Sequence, residues 1–248
     1  MRQKGLPAYF RTRGVHMKRI RYLIFSVMIL LLLSACGKTS TGQTAYVDKA
    51  TQSASDGQTE GNGTSGSSES GKVLIAYFSW AENAVQDNID AMTSPSVSAP
   101  GNVSQLALWI QEETGGGLFS IRVTEPYPAD WDGCLNRANK EKADNEHPAL
   151  SETLGTIEEY DTIFLGYPNW WYSCPMAIYS FIDEHDLTGK QIYLFCSHGT
   201  GGLANSVKDI TDALPNGAAV SDNVFHVYQN DTPSARGDVS DWLKELGY

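Results

Sequence analysis

Between Lys72 and Tyr248 five short apolar runs alternate with stretches patterned as helices, and this alternation constrains the fold more than any other feature of the chain. Val73–Phe78 is apolar at every position, as a strand covered on both faces must be; a strand with one wet face would alternate with polar residues. Leu118–Val123, Thr162–Gly166, Gln191–Cys196 and Val224–Tyr228 read as four further strands. A helix starting at Asn102 or Ser104 and running to Thr114 places Leu106, Trp109 and Ile110 on one face, and Gly115-Gly116-Gly117 stops it. The polar segment Cys134–Asn145 predicts an exposed helix, Pro175–His185 one with proline in its first turn, and Leu203–Leu214 and Ala235–Leu246 two more. Strands alternating with helices predict an α/β fold. The expected form is a doubly wound, five-stranded parallel sheet of order 2-1-3-4-5 with right-handed crossovers, the middle layer of a three-layer sandwich. No internal repeat is visible.

The 71 residues before this domain divide in two. Lys18, Arg19 and Arg21 precede the apolar run Tyr22–Leu33 and the small residues Ser34 and Ala35. This is the layout of an export signal, and the run falls short of the roughly 20 apolar residues of a comfortable membrane-spanning helix. The ending Leu33-Ser34-Ala35-Cys36 resembles the lipobox of bacterial lipoproteins, which implies cleavage before Cys36, its lipidation, and an extracytoplasmic protein held on the cell membrane. Residues 1–16 add nothing such a signal needs, so either Met1 or Met17 can start it. In residues 37–71, Gly, Ser and Thr fill 20 of 35 positions, and such a segment cannot bury enough surface to offset its ordering entropy. It reads as a disordered tether whose root-mean-square reach is roughly 30–35 Å.

The formal net charge of −11 is the sum of opposed parts. Residues 1–36 hold seven basic residues and no acidic one, whereas residues 72–248 hold nine basic and 25 acidic, a net of −16. A domain this acidic is a poor partner for nucleic acid, because neutralising phosphates takes clustered Lys and Arg. It is also repelled by anionic lipid head groups, so the lipid on Cys36 must supply the attachment.

In a doubly wound sheet ligands bind beyond the carboxyl ends of the strands, where the strand order reverses, here between the first and third strands. The loops that should converge there are Ser79–Asn83, Tyr167–Cys174 and Ser197–Gly202, and all three are unusual for connectors. Tyr167-Pro168-Asn169-Trp170-Trp171-Tyr172 places four aromatics in six residues, which suits a flat heterocycle by stacking and edge hydrogen bonding. Ser197-His198-Gly199-Thr200-Gly201-Gly202 offers close backbone approach and several N–H donors. Taken alone, the first also fits a hydrophobic plug and the second a tight turn, and His198 fits either a ligand contact or a solvated loop position.

Together, Val73–Ser79, Gly166–Trp171 and Phe195–Gly202 resemble the flavodoxin-like family, in the branch of bacterial flavodoxin-type lipoproteins and reductases, over essentially all of residues 72–228. The resemblance implies non-covalent binding of flavin mononucleotide (FMN). The residues it implies are Ser79, Trp80 and Asn83 at the phosphate, and Pro168, Asn169, Trp170, Trp171, Tyr172, Ser197, His198, Gly199, Thr200 and Gly201 at the ring. The phosphate loop departs from the family pattern. Where Ser-Gly-Asn-Thr or a related run is usual, this chain has Ser79-Trp80-Ala81-Glu82-Asn83-Ala84, with a carboxylate that a phosphate would repel unless Glu82 points to solvent. The insertion 85–101 follows, and its hydroxyls (Thr93, Ser94, Ser96, Ser98) or the helix start at Asn102–Ser104 are the candidate replacement donors.

Cys134, Cys174 and Cys196 lack metal-ligand spacing, so no metal site is expected. Cys196 reads as a buried small hydrophobe and Cys174 as exposed beside the aromatic loop. Glu141, Asp144 and Glu146 read as a solvated face. Three functions fit these residues. The first is a membrane-anchored FMN flavoprotein that transfers electrons to a redox partner protein or small acceptor. The second is an NAD(P)H-dependent FMN reductase acting on a quinone or similar acceptor, with Tyr127, Trp131 and Arg137 walling the substrate pocket. The third is a flavodoxin-fold binding module that has lost flavin. If Trp170 stacks on the ring, its replacement by alanine should weaken binding by about 1–3 kcal/mol.

Overall fold

The computed structural model describes residues 71–85 and 94–248; the signal segment, Cys36, the tether up to residue 70 and residues 86–93 of the insertion lie outside the described residues. β1 (Val73–Tyr77) is buried at every position and forms the axis of a parallel sheet. It pairs with β2 (Gly117–Ser120) on one side and with β3 (Thr162–Pro168) on the other, in the registers Leu74↔Gly117 and Val73↔Thr162. β4 (Gln191–His198) pairs with β3 from Thr162↔Gln191 to Pro168↔Ser197. With β5 (Ala219–Val220) at the far edge, the order β2-β1-β3-β4-β5 reverses direction between β1 and β3, as the alternation of the sequence predicts.

The outer edge departs from that expectation. The fifth strand is two pieces, β5 (Ala219–Val220) on the first residues of β4 and β6 (Phe225–Tyr228) on the last four. Between them the Ser221 N–H still reaches Ile192 O at 2.9 Å, and the pairing breaks after it, where Ser221 Oγ accepts the Asn223 N–H at 3.1 Å. A short polar side chain that bonds its own backbone competes with the ladder, which is why the edge runs to six strands rather than five. β2 is also shorter than its apolar pattern suggests. The Ile121 N–H still reaches Tyr77 O at 2.8 Å, but the chain then turns to meet Leu150 through Val123.

α1 (Trp80–Asn83) is a single turn directly after β1. Two apolar clusters make the outer layers. α2 (Asn102–Thr114) and α6 (Arg236–Leu246) cover one face through Leu106, Ile110, Val239, Trp242 and Leu243. α3 (Trp131–Asp144), α4 (Met176–Glu184) and α5 (Ser206–Ala213) cover the other through Cys134, Ala138, Phe181 and Ile210. α2 ends where the glycines predict, with Gly115 left-handed at φ 68° and its N–H on Gln111 O. α3 begins three residues before the polar segment that predicts it, because Asp130 accepts the Gly133 N–H and caps it. Its inner face corrects one expectation: Glu141 is buried, accepting from the Tyr127 hydroxyl at 2.7 Å and pairing with Arg137 at 2.8 Å, while the Arg137 guanidinium lies 4.0 Å over the Tyr127 ring. A buried carboxylate held by both a hydroxyl and a guanidinium is satisfied where a solvated face would leave it to water. Asp144 and Glu146 are the solvated pair, sharing Lys140.

Candidate functional site

The three loops anticipated at the carboxyl ends of β1, β3 and β4 meet around one cleft of about 230 Å³. Trp80, Pro168, Asn169, Trp170, Trp171, Tyr172, Ser197, His198, Gly199, Thr200 and Gly201 line it, together with Ser94, Ser96, Trp131 and Gln229. Two hydrogen bonds tie the second and third loops into one wall, from the Asn169 N–H to Ser197 O at 2.9 Å and from Asn169 Nδ2 to Gly202 O at 2.7 Å.

The aromatic loop is a two-residue turn. Trp170 and Ser173 exchange both backbone hydrogen bonds, at 2.9 and 3.0 Å, which leaves Trp171 and Tyr172 at the tip with φ of 48° and 68°. Two adjacent left-handed residues match a type I′ turn, whose usual occupants are Asn and Gly. Bulky side chains there are strained, so the strain is tied to holding Trp171 and Tyr172 at the cleft. The Ser173 hydroxyl, donating to Asp209 at 2.5 Å, and the Asn205 N–H on Tyr172 O at 3.1 Å fasten the turn to α5.

The four aromatics do different work. Tyr167 is fully buried, its hydroxyl 3.0 Å from Ser206 Oγ. Trp170 is also buried, with ring centroids 5.1 Å from Tyr127, 5.3 Å from Phe78, 5.8 Å from Trp80 and 5.2 Å from Trp171. Its first contribution is to the core beneath the cleft. Replacing Trp170 with alanine is expected to cost about 3–5 kcal/mol of stability, read as a lower denaturant midpoint, before any effect on a ligand is seen. Tyr172 is 67% exposed and Trp131 49%, and these two rim the opening.

The loop after β1 differs most from its sequence reading. Asn83 does not line the cleft. Its amide donates to Ser79 O (2.9 Å) and Ile121 O (3.0 Å) and accepts from the Val123 N–H (2.8 Å), so it pins the loop to the chain beyond β2. Glu82 points neither at the cleft nor at solvent. It turns toward β2, where Tyr77 Oη (2.9 Å), Ser104 Oγ (2.6 Å), Ser120 Oγ and Arg122 (3.2 Å) all donate to it. Burial and the Glu82 charge together push the Tyr77 phenol up to about 12, so it stays a donor at any ordinary pH.

Ser79 precedes the lining residue Trp80 without itself lining the cleft, and its Oγ is buried without a hydrogen-bond partner. Gly101, the residue before α2, approaches this hydroxyl so closely that a Cβ would lie 2.4 Å from it and 2.8 Å from the Ala81 Cβ. Gly101 has φ 82° and ψ 145°, close to a region open essentially to glycine alone. Asn102 follows, its Nδ2 donating to Gln229 O at 2.8 Å and Ser197 Oγ at 3.2 Å. Ser79 and Gly101-Asn102-Val103 thus rebuild in space a Ser…Gly-Asn run that residues 80–100 interrupt in sequence. The N–H groups of the first turn of α2 have no partner within the helix. Ser94 and Ser96 close the same end of the cleft, with Ser94 Oγ donating to the Gln229 side chain at 3.3 Å. Thr93 lies outside the described residues, and Ser98 is not among the lining residues.

Gln229 is the lining residue that sequence reading missed. No local signal marks a glutamine after an edge strand; only the pairing His198↔Tyr228, which ends β6 level with β4, places it at the crevice. All three described cysteines are free and buried, correcting the exposed position expected for Cys174, whose thiol burial pushes up to about 12. Among the described residues, no group of three or more His, Cys, Asp or Glu could hold a metal ion, and no helix is long and apolar enough to cross a membrane.

A family model for flavodoxin matches residues 92–246. A protein assigned as a flavoprotein from Bacteroides eggerthii has a similar crystal structure, with 25% sequence identity, a TM-score of 0.55 and coverage of 71% of this chain and 98% of that one. Another from Bacteroides uniformis has 26% identity, a TM-score of 0.53 and coverage of 70% and 98%. A flavoprotein from Lactobacillus acidophilus, solved in complex with FMN, has 20% identity, a TM-score of 0.47 and coverage of 69% and 98%. No curated protein sequence matches.

Proposed function

Because the chain belongs to the flavodoxin family, we propose that its cleft binds FMN and that the protein transfers electrons while tethered to the outer face of a membrane through Cys36. The observation that carries this reading is the convergence of three loops on one cleft lined by hydroxyl-bearing side chains, glycine backbone and aromatic rings.

The residues present fit the cofactor. The unpartnered Ser79 hydroxyl, Ser94, Ser96 and the first turn of α2 would hold the phosphate, a dianion that helix N-termini and hydroxyls stabilise without a cation. Glu82, the one group expected to oppose a phosphate there, is turned away and neutralised by Arg122. Trp171, Tyr172, Asn169, Ser197 and the Gly199–Gly201 backbone would enclose the ring, the aromatics by stacking and the backbone by bonds to the ring edge. Bound FMN supplies the redox chemistry, and the protein supplies orientation, exclusion of water and the local field. Among the described residues neither Lys nor Arg lines the cleft, and the domain is strongly acidic, so the field disfavours added electrons and lowers the cofactor's potential.

Trp131 supports a second activity on the same cofactor. It stands at the opening on the first turn of α3, its ring centroid 6.1 Å from Trp171, where a flat acceptor such as a quinone could lie over the cofactor. Mixing the purified full chain with NAD(P)H, with and without a quinone, separates the two. An electron carrier leaves NAD(P)H unconsumed yet exchanges electrons with a reduced protein or dye, whereas a reductase consumes nucleotide in step with quinone. A chain that does neither contradicts both.

A further inference from the structure

His198 ends β4 in the cleft wall, and His226 lies beside it on β6, outside the cleft. Their rings meet through His198 Nε2 and His226 Nδ1 at 3.0 Å, and His198 Nδ1 lies 2.8 Å from Gly199 O. A carbonyl can only accept, so Nδ1 of His198 carries a hydrogen and neutral His198 presents a lone pair at Nε2. His226 must then donate from its own Nδ1, which leaves the lone pair of its Nε2 as the open acceptor of an exposed side chain.

This arrangement has a direction. A proton arriving on His226 Nε2 releases the Nδ1 proton toward His198 Nε2, so charge gained at the surface emerges in the cleft wall. The pair holds one extra proton and not two, because two imidazolium rings would set N–H against N–H at 3.0 Å. Burial, and then the neighbouring His198, hold His226 below the usual histidine range, consistent with one shared charge. No other residue dominates the pair. Cys196, in register with His226, is buried with its thiol pushed far up by burial, and Tyr228 lies 6.5 Å from the His198 ring. On that face of the sheet Asp209 of α5 is committed to Ser173, and Lys208 to Asp212. Among the described residues, His198 is the one side chain lining the cleft that can become positive.

We propose that His226 and His198 form a proton relay that loads one proton from water into the cleft wall whenever negative charge enters the cleft. The inference rests on the reading of the cleft as an FMN site. In balance, two electrons from the reductant and one proton enter the cofactor. A second proton leaves water, lands on His226 Nε2, and the His226 Nδ1 proton moves to His198 Nε2. The uptake is therefore two protons for two electrons, where the cofactor without the relay takes one.

The test is a redox titration of the FMN-loaded full chain against reference dyes across the neutral pH range. The wild type is expected to lose about 59 mV per pH unit and His226→Asn about 30 mV, since one proton per two electrons corresponds to about 30 mV per tenfold change. Asparagine keeps a donor toward His198 Nε2 but cannot relay a proton. As an exposed edge substitution it should leave the affinity for oxidised FMN within about twofold. NMR of the two imidazoles should show one shared titration in the wild type. Equal slopes in wild type and variant, or two independent imidazole titrations, overturn the relay while leaving FMN binding intact. Failure of the wild type to take up FMN overturns the site itself, and the relay with it.

Discussion

Gly101→Ala is expected to lower FMN affinity by at least about a hundredfold, close to 3 kcal/mol, and to destabilise the apoprotein as well. The methyl group would sit 2.4 Å from the Ser79 hydroxyl and 2.8 Å from the Ala81 methyl, far inside contact distance. The backbone at φ 82° adds strain of about 1–3 kcal/mol for any residue with a Cβ. Relief requires Ser79 or the start of α2 to move, and both are assigned to the phosphate. Ser79→Ala is the companion variant. It removes the buried hydroxyl that lacks a protein partner, so it should leave or raise apoprotein stability while weakening FMN. Calorimetric titration with FMN, beside urea denaturation of the apoprotein, checks both. A Gly101→Ala protein that binds FMN as the wild type does would place the phosphate elsewhere.

Tyr172→Gly is expected to move stability and affinity in opposite directions. Glycine relieves the left-handed backbone at φ 68° and should stabilise the apoprotein by about 1 kcal/mol, since the ring it removes is 67% exposed. Loss of a stacking ring should weaken FMN by about 1–3 kcal/mol, roughly ten- to a hundredfold. Tyr172→Ala separates the two effects, because alanine loses the ring but keeps the strain. Matching stability in the two variants would show that the turn stores no strain, and unchanged affinity in both would remove Tyr172 from the cofactor's surroundings.

The parts of the structure legible in the sequence are those fixed by short-range pattern. Val73–Phe78 and Ile192–Cys196 are apolar without alternation because both faces of the sheet are covered, and the glycines after Thr114 end α2 with a left-handed cap. The aromatic and glycine loops were legible as surroundings for a ligand because their composition is costly anywhere else. What was not legible depends on distant partners. Glu82 looks repulsive to phosphate until Tyr77, Ser104, Ser120 and Arg122 are brought around it by the sheet. Trp170 and Trp171 are neighbours in sequence, yet only the reciprocal bonds between Trp170 and Ser173 decide which ring fills the core and which sits at the turn's tip. The Ser…Gly-Asn run is hidden because its serine and its glycine are separated by 21 residues of sequence. Gln229 joins the cleft through strand pairing alone.

The measurement that tests the account most directly is an equilibrium titration of the full chain, stripped of any bound flavin, with FMN and with riboflavin, followed by quenching of tryptophan and flavin fluorescence. Trp80, Trp131, Trp170 and Trp171 all line the cleft, so a ring seated there must quench them. One FMN per chain is expected, with riboflavin bound at least about tenfold more weakly because it lacks the phosphate assigned to Ser79 and α2. Saturating FMN that leaves the tryptophan emission unchanged, or riboflavin binding as tightly as FMN, would contradict the account.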